Sequence, residues 1–270
     1  DYKLKCHVFS TIGSHGSLTV EQALMNSCNP YMIHLALEMG NSRFAYYQSL
    51  FGFGKITGID LPGETTGIVY GDRMTTIDAA CNSFGQTINV NMMQMMAAYC
   101  SIINGGMLYQ PHIVKRIESA NGEVVKEYKA NLVRQTITAS TSKLLRRYLK
   151  NTVEEGTAKK AGVTGYSVAG KTGTAQKGDR KDNKWIISFI GHAPAENPKF
   201  AIYVVIDEPY GTTGTSGSSA DVLTLTHNIL EKLLPYMNVY KDASDEYEDT
   251  SSSPDELTVD GIPAGTASSN

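Results

Sequence analysis

The chain has 270 residues, with 24 Lys and Arg against 27 Asp and Glu, and a formal net charge of −3. At 41% hydrophobic and 19% charged it has ordinary globular composition, enough for one large domain or two small ones; it is not collagenous, coiled-coil or disordered throughout. No run of about 18 apolar residues occurs, so no helix here is expected to span a membrane. Asp1 comes first and no signal-like stretch follows, so the sequence reads as a piece of a longer chain or a processed product.

Charge is unevenly spread. Residues 241–270 hold eight acidic groups and one lysine, a local charge of −7, which leaves +4 on residues 1–240. A mildly basic body argues against nucleic acid as a partner, since that would call for a clustered basic face. The terminal stretch is rich in Ser, Thr and Asp and poor in apolar residues, so 239–270 is expected to be a disordered acidic tail. The four cysteines, Cys6, Cys28, Cys81 and Cys100, include no C-x-x-C pair, and the six histidines show no zinc-protease spacing. No metal site and no cofactor is expected.

In chain order, Thr19-x-x-Gln22 offers a capping box for a first helix. Asn29 is a good N-cap for a second, with Pro30 at its first position, and Gly40 stops it after Met39. The break between them holds Ser27 and Asn29. Residues 52–72, rich in Gly and Pro, read as loop. Asn91 to Ile103 is a Met-rich helix whose methionines are expected in the core. Residues 107–129 read as one hairpin turning at Asn121-Gly122. An amphipathic helix over 141–154 ends at Gly156, with Ser140 as its N-cap. Apolar runs at 166–175, 184–193 and 200–207, joined by short turns, predict consecutive antiparallel strands, and a last helix covers 220–234. This order predicts an α+β fold, an antiparallel β-sheet flanked by helices.

The sharpest local signal is Lys171-Thr172-Gly173-Thr174 in VAGKTGTAQ. Lys171 supplies a fixed positive charge. Thr172 and Thr174 place hydroxyls on alternate positions of a strand, hence on one face. Gly173 between them would let another backbone come close. Such a strand suits a peptide carboxylate and pairs with its main chain. GYSVAGKT also matches a phosphate-loop pattern literally, but no strand precedes Gly165 and the residues after it are polar and turn-like. Ser27-Cys28-Asn29 alone is weak, because Ser119-Ala120-Asn121 and Ser268-Ser269-Asn270 share its pattern. A Lys-Thr-Gly string is expected only about 0.03 times by chance in such a chain.

In this order the two strings resemble the penicillin-binding transpeptidases, whose motif set is S-x-x-K, then S-x-N, then K-T-G. The stretches GSLTVEQALMNSCNPYMIHLALEMG, FGFGKITGIDLPGE, SFGQTINVNMMQMMAAYCSIINGG, SVAGKTGTAQ and SFIGHAPAENPKFAIYVVIDEP are similar to class B members over about residues 6–235. The last is closer to the division and sporulation branch than to the elongation branch. Two departures stand out. The only S-x-x-K is Ser140-Thr141-Ser142-Lys143, which lies between the other motifs, so the nucleophilic serine and its lysine are expected upstream of Asp1. The approach to the last helix, GTTGTSGSSADV, lacks the family's Ala-Ala-Pro-like pattern.

The resemblance implies that residues 1–238 are the C-terminal portion of a transpeptidase domain of penicillin-binding and serine β-lactamase-like fold. It implies serine acyl transfer on the D-Ala-D-Ala end of peptidoglycan stem peptides, and covalent binding of β-lactam antibiotics. Ser27 would relay a proton between two lysines, Asn29 would bond the stem-peptide amide, and Cys28 would only pack. Lys171, Thr172 and Thr174 would hold the carboxylate, with Gly173 keeping the strand open and the Thr174 N–H donating to the oxyanion. Expected partners are stem peptides, β-lactams and a membrane glycosyltransferase of the division machinery. The expected location is the extracytoplasmic face of the bacterial membrane. A D,D-carboxypeptidase, a serine β-lactamase, a penicillin sensor without turnover and a division scaffold remain open alternatives.

Overall fold

A computed structural model describes residues 6–179, 181, 183–209 and 218–241 of the protein. Its centre is a three-stranded antiparallel sheet in the order β5-β6-β7, made of Ala169–Lys177, Lys184–Ala193 and Phe200–Asp207. Side chains alternate across a strand, and β6 shows what that does here. Ile187, Phe189 and Ala193 point to one face, where they pack against Val222, Leu223, Leu230 and Leu234 of α8, Ala220–Tyr236. Ile190 points to the other, toward Tyr99 and Ile103 of α6 (Met92–Ile103), Leu149 of α7 (Ala139–Glu154), and Leu24. The sheet is therefore covered on both faces. In the second layer His192 accepts a 2.8 Å bond from the Tyr99 hydroxyl at Nδ1 and donates from Nε2 to the Ala195 carbonyl at 3.1 Å. Burial pushes its pKa down to about 4, so the imidazole is neutral.

Four further helices carry the first part of the chain. After a four-residue α1, Phe9–Ile12, come α2 (Val20–Met25), α3 (Asn29–Met39), α4 (Asn41–Leu50) and α5 (Thr76–Asn82). The capping box read at Thr19 and Gln22 is present, with reciprocal bonds of 3.2 and 3.0 Å. Asn91 with Gln94 and Thr75 with Asp78 form two more. The sequence reading did not include α4 and α5. Gly40, at φ +79°, ends α3 and caps α4 at once, so no loop separates them.

Several expectations are corrected. Helix α3 starts one residue early, at Asn29 itself, with Cys28 in the cap position and Pro30 second. Helix α7 is capped by Thr138, whose hydroxyl accepts the Thr141 N–H at 3.2 Å; Ser140 lies inside the first turn. Thr138 stands two residues before Ser140, and a hydroxyl at either place reads alike in sequence. The methionines of α6 are not its core. Met92 is 51% exposed and the others are half-buried, while Gln94, Ala98, Tyr99, Ser101 and Ile103 fill the buried face. Residues 107–129 are not one hairpin. Met107–Tyr109 (β1) pairs with Leu132–Gln135 (β4), and Arg116–Glu118 (β2) with Val124–Glu127 (β3). Pro111 cannot donate to a ladder, and the Asp60 carboxylate takes the Ile113 and Val114 N–H groups, each at 2.8 Å, so the chain turns between β1 and β2.

The expected tail from 239 begins with Val239, which is 4% exposed against the α8 core; its residues from 242 lie outside the described ones, as does most of the segment before α8.

One pairing sets the approach of β5 to β6. Gly170 stands opposite Gly191. A Cβ on Gly170 would lie 2.3 Å from the Phe189 ring and 2.6 Å from the Ile190 carbonyl oxygen, and one on Gly191 2.5 Å from the same ring. Phe189 is thus seated over two bare backbone positions. Gly170→Ala should lower the thermal midpoint, by the equivalent of about 1–3 kcal/mol. Calorimetry decides it: an unchanged midpoint would show that the ring has room to move.

Candidate active site

Helix α2 ends by local chemistry. Asn26 closes it, the Ser27 N–H reaches the Leu24 carbonyl at 3.2 Å, and the Cys28 N–H reaches Ala23 at 2.9 Å. Ser27 sits between them in the left-handed region, φ +52°, which a non-glycine residue adopts at a cost. The chain then enters α3. The corner so made presents Ser27 to β5, and the Ser27 hydroxyl accepts a 3.0 Å bond from Lys171 Nζ across 144 residues of sequence. Asn29, half-buried at the first position of α3, lies on the same corner.

Among the described residues, strand β5 is an edge strand. The four-carbon stem of Lys171 curls along it, so that Nζ also lies 3.1 Å from the Thr172 carbonyl and 3.4 Å from Thr172 Oγ1. Thr174 is exposed two residues on, as its place in the strand requires. Gly173 differs from expectation: the group its missing side chain admits is the Ser188 hydroxyl, 2.5 Å from where a Cβ would stand, rather than another backbone. The structure therefore joins Ser27, Lys171 and Thr172 directly, and sets Asn29, Gly173 and Thr174 around them on the two elements.

Residues to which the sequence assigns no place at the site hold these elements together. Just past α7, the Thr157 N–H bonds the Met25 carbonyl at 3.2 Å, while its hydroxyl lies 3.3 Å from Thr172 Oγ1. Gly156 permits this, since a Cβ there would fall 2.7 Å from the Met25 carbonyl oxygen. One turn earlier, Thr152 donates its hydroxyl to the Gly170 carbonyl. The end of α2, the end of α7 and the lysine strand thus meet at one point. Gly156-Thr157 after an amphipathic helix carries no motif, and nothing in the sequence signals its role.

The electrostatics are those of an anion site. Burial alone pushes the Lys171 pKa down to about 8; no carboxylate among the described residues holds it up. At neutral pH the charged form still predominates. Among the described residues the cation has the Ser27 and Thr172 hydroxyls and the Thr172 carbonyl as partners and no counter-ion. His7 is also near enough to feel its charge: burial, His15 and Lys171 all push the His7 pKa down.

A match to the penicillin binding protein transpeptidase domain spans residues 7–231. The chain belongs to the penicillin-binding protein transpeptidase family. Within it, the chain is 40% identical over 232 residues to stage V sporulation protein D of Bacillus subtilis (strain 168), covering 84% of this chain and 36% of that protein. It is 32% identical over 248 residues to the peptidoglycan D,D-transpeptidase FtsI of Escherichia coli (strain K12), covering 90% and 40%. The chain thus spans less than half the length of these family relatives. Penicillin binding protein 3 of Mycobacterium tuberculosis, solved in its apo form, superposes with a TM-score of 0.75 at 31% identity, over 83% of this chain and 53% of that one. A second structure of that protein holds ampicillin, at the same TM-score of 0.75. The α+β transpeptidase fold expected from the sequence is the fold observed.

The remaining S-x-x-K does not join this constellation: Ser140 and Lys143 line a separate cavity of about 490 Å³ with Arg146, Arg147 and Glu196. GYSVAGKT runs into strand β5 and not into a helix, as the rejection of a phosphate loop requires. A lysine-selective NMR titration of the side-chain ε-carbon should show one group with a midpoint near 8, missing in Lys171→Arg. A uniform set of lysines titrating near 10 would refute the desolvated cation.

Proposed function

We propose that this chain carries the substrate-clamping part of a peptidoglycan D,D-transpeptidase, which cross-links stem peptides by serine acyl transfer. One observation carries the reading. Lys171, a partly buried cation with no carboxylate partner among the described residues, is bonded to the Ser27 hydroxyl at 3.0 Å on a strand that is an edge strand among those residues. That edge offers a peptide both a ladder and a positive end. The names of the relatives, among them a peptidoglycan D,D-transpeptidase, support the reaction class.

In this reading the nucleophilic serine and its lysine lie upstream of Asp1. The serine oxygen attacks the carbonyl of the penultimate D-Ala, the C–N bond breaks, and D-Ala leaves with a proton. The amine of a second stem peptide then attacks the acyl carbon, and the serine is released with its proton restored. Lys171 attracts the terminal carboxylate. Its charge also disfavours protonation of the upstream lysine, which suits a general base. Ser27 passes the proton to the leaving amine, since its hydroxyl already accepts from Lys171 and remains free to donate. Asn29 bonds the stem-peptide amide. Thr172 and Thr174 bond the carboxylate, and the Thr174 N–H donates to the oxyanion. A β-lactam acylates the same serine. The reading places the protein on the extracytoplasmic face of the bacterial membrane, beside a glycosyltransferase that supplies the glycan strand. No described helix is long and apolar enough to cross a membrane.

Mutation of the clamp tests this in full-length protein. Lys171→Ala should lower the second-order rate of acylation by a reporter β-lactam about 10–100-fold, from loss of a charge-assisted contact of about 1.5–3 kcal/mol. Thr172→Ser should be nearly silent and Thr172→Val should not. Stopped-flow kinetics with circular dichroism as a fold control decide the matter; a folded Lys171→Ala enzyme acylating at the parent rate would sink the reading.

The pH profile gives an independent check. As pH rises through about 8 the Lys171 charge is lost, so the acylation rate should fall on the alkaline side. Lys171→Arg, which stays charged, should lack that limb. On intact-mass spectrometry the 270-residue chain alone should show no penicillin adduct, and the chain extended upstream should show one. Product analysis with two stem peptides separates cross-linking from simple hydrolysis.

A further inference from the structure

Three side chains outside the acyl-transfer machinery converge beside Ser27. Cys6 Sγ, His15 Nδ1 and Cys28 Sγ all lie within 4.8 Å of one another. Cys28 is the buried cap residue of α3, next to Ser27. Cys6 precedes α1, and His15 lies in the loop after it. Eight residues separate Cys6 from His15 and twelve separate His15 from Cys28. No familiar zinc module has that spacing, so only the fold reveals the cluster.

We propose that Cys6, His15 and Cys28 bind one thiophilic divalent cation, Zn²⁺ by the chemistry of the donors. Two sulfurs and an imidazole nitrogen suit Zn²⁺ and exclude the oxygen-seeking Mg²⁺ and Ca²⁺. Tetrahedral zinc with these donors sets them about 3.5–3.8 Å apart. Cys6 Sγ and His15 Nδ1 already stand 3.6 Å apart, and closing the remaining gaps takes a movement of about an ångström or less. Three protein donors leave a fourth position for water. His7 Nδ1 lies 3.4 Å from Cys6 Sγ. Binding is not a redox step: both thiols give their protons to solvent and the sulfurs coordinate as thiolates, so affinity falls as pH falls. The bound ion ties the segment before α2 to the corner that carries Ser27 and Asn29. This site does not depend on the transpeptidase reading.

The test uses full-length protein, reduced, stripped with a chelator and dialysed against Zn²⁺ or Co²⁺ alone. One Zn²⁺ per chain is expected by elemental analysis, together with a higher thermal midpoint. Co²⁺ should give a thiolate charge-transfer band and intense tetrahedral visible bands. Cys6→Ser and His15→Gln, both in the lightly packed segment, should each weaken Zn²⁺ binding at least about 10-fold while the fold is kept. Cys81→Ser should bind as the parent does. The proposal is overturned if the reduced parent takes up no Zn²⁺, or if Cys6→Ser and His15→Gln bind it as tightly as the parent. A Cys6–Cys28 disulfide in protein that, once reduced, stays metal-free would overturn it too.

Discussion

A cation partly withdrawn from water and given no carboxylate by the described residues is costly to keep, and the structure around Lys171 is organised by that cost. The ammonium group holds two hydroxyls and a carbonyl, enough to orient it and too little to neutralise it. A counter-ion at this place would fill the site with the protein's own charge. Everything nearby keeps Nζ at the edge of β5 and within reach of Ser27 without supplying one. The sheet carries the lysine, the α2–α3 corner carries the serine, and the end of α7 joins the two through Thr157.

That arrangement explains why residues of two kinds matter. Those that touch Lys171 are polar and few. Those that fix its position are small or hydroxylated and lie in the layers behind: Gly170 and Gly191 beneath Phe189, Thr152 on the Gly170 carbonyl, and Gly156 against Met25. The neutral Tyr99–His192 pair belongs to the second group. It satisfies buried polar atoms without adding charge beneath the strand.

Much of this was legible in the sequence where the signal is local. Apolar runs between short turns gave the three central strands, and the capping box at Thr19 located the first of the helices. The K-T-G string marked the lysine, and the Ser27-x-Asn29 break marked its partner. What escaped reading depends on tertiary contact. The pairing of Gly170 with Gly191 requires the register of β5 on β6. The two-ladder arrangement around residues 107–135 depends on Asp60, which lies some fifty residues earlier. The α7 cap fell on Thr138 in place of Ser140 because both hydroxyls precede the same apolar stripe. Helix α4 lacks a strong apolar stripe, and only Ala45 of it is buried. The Cys6, His15 and Cys28 side chains, far apart in sequence, meet only once α2 and α3 are bent at Ser27.

The contact of Gly156 with Met25 leaves almost no slack between the helical half and the sheet half. Its backbone-to-backbone approach works as the pivot of a pair of jaws, and the Ser27 and Lys171 tips sit just beyond it. In such a geometry the aperture is set at the pivot. Residues on the buried faces of α2 and α7 therefore set how far Ser27 stands from Lys171. Substitutions in that packing would then shift the Ser27–Lys171 spacing as readily as changes at the two residues themselves.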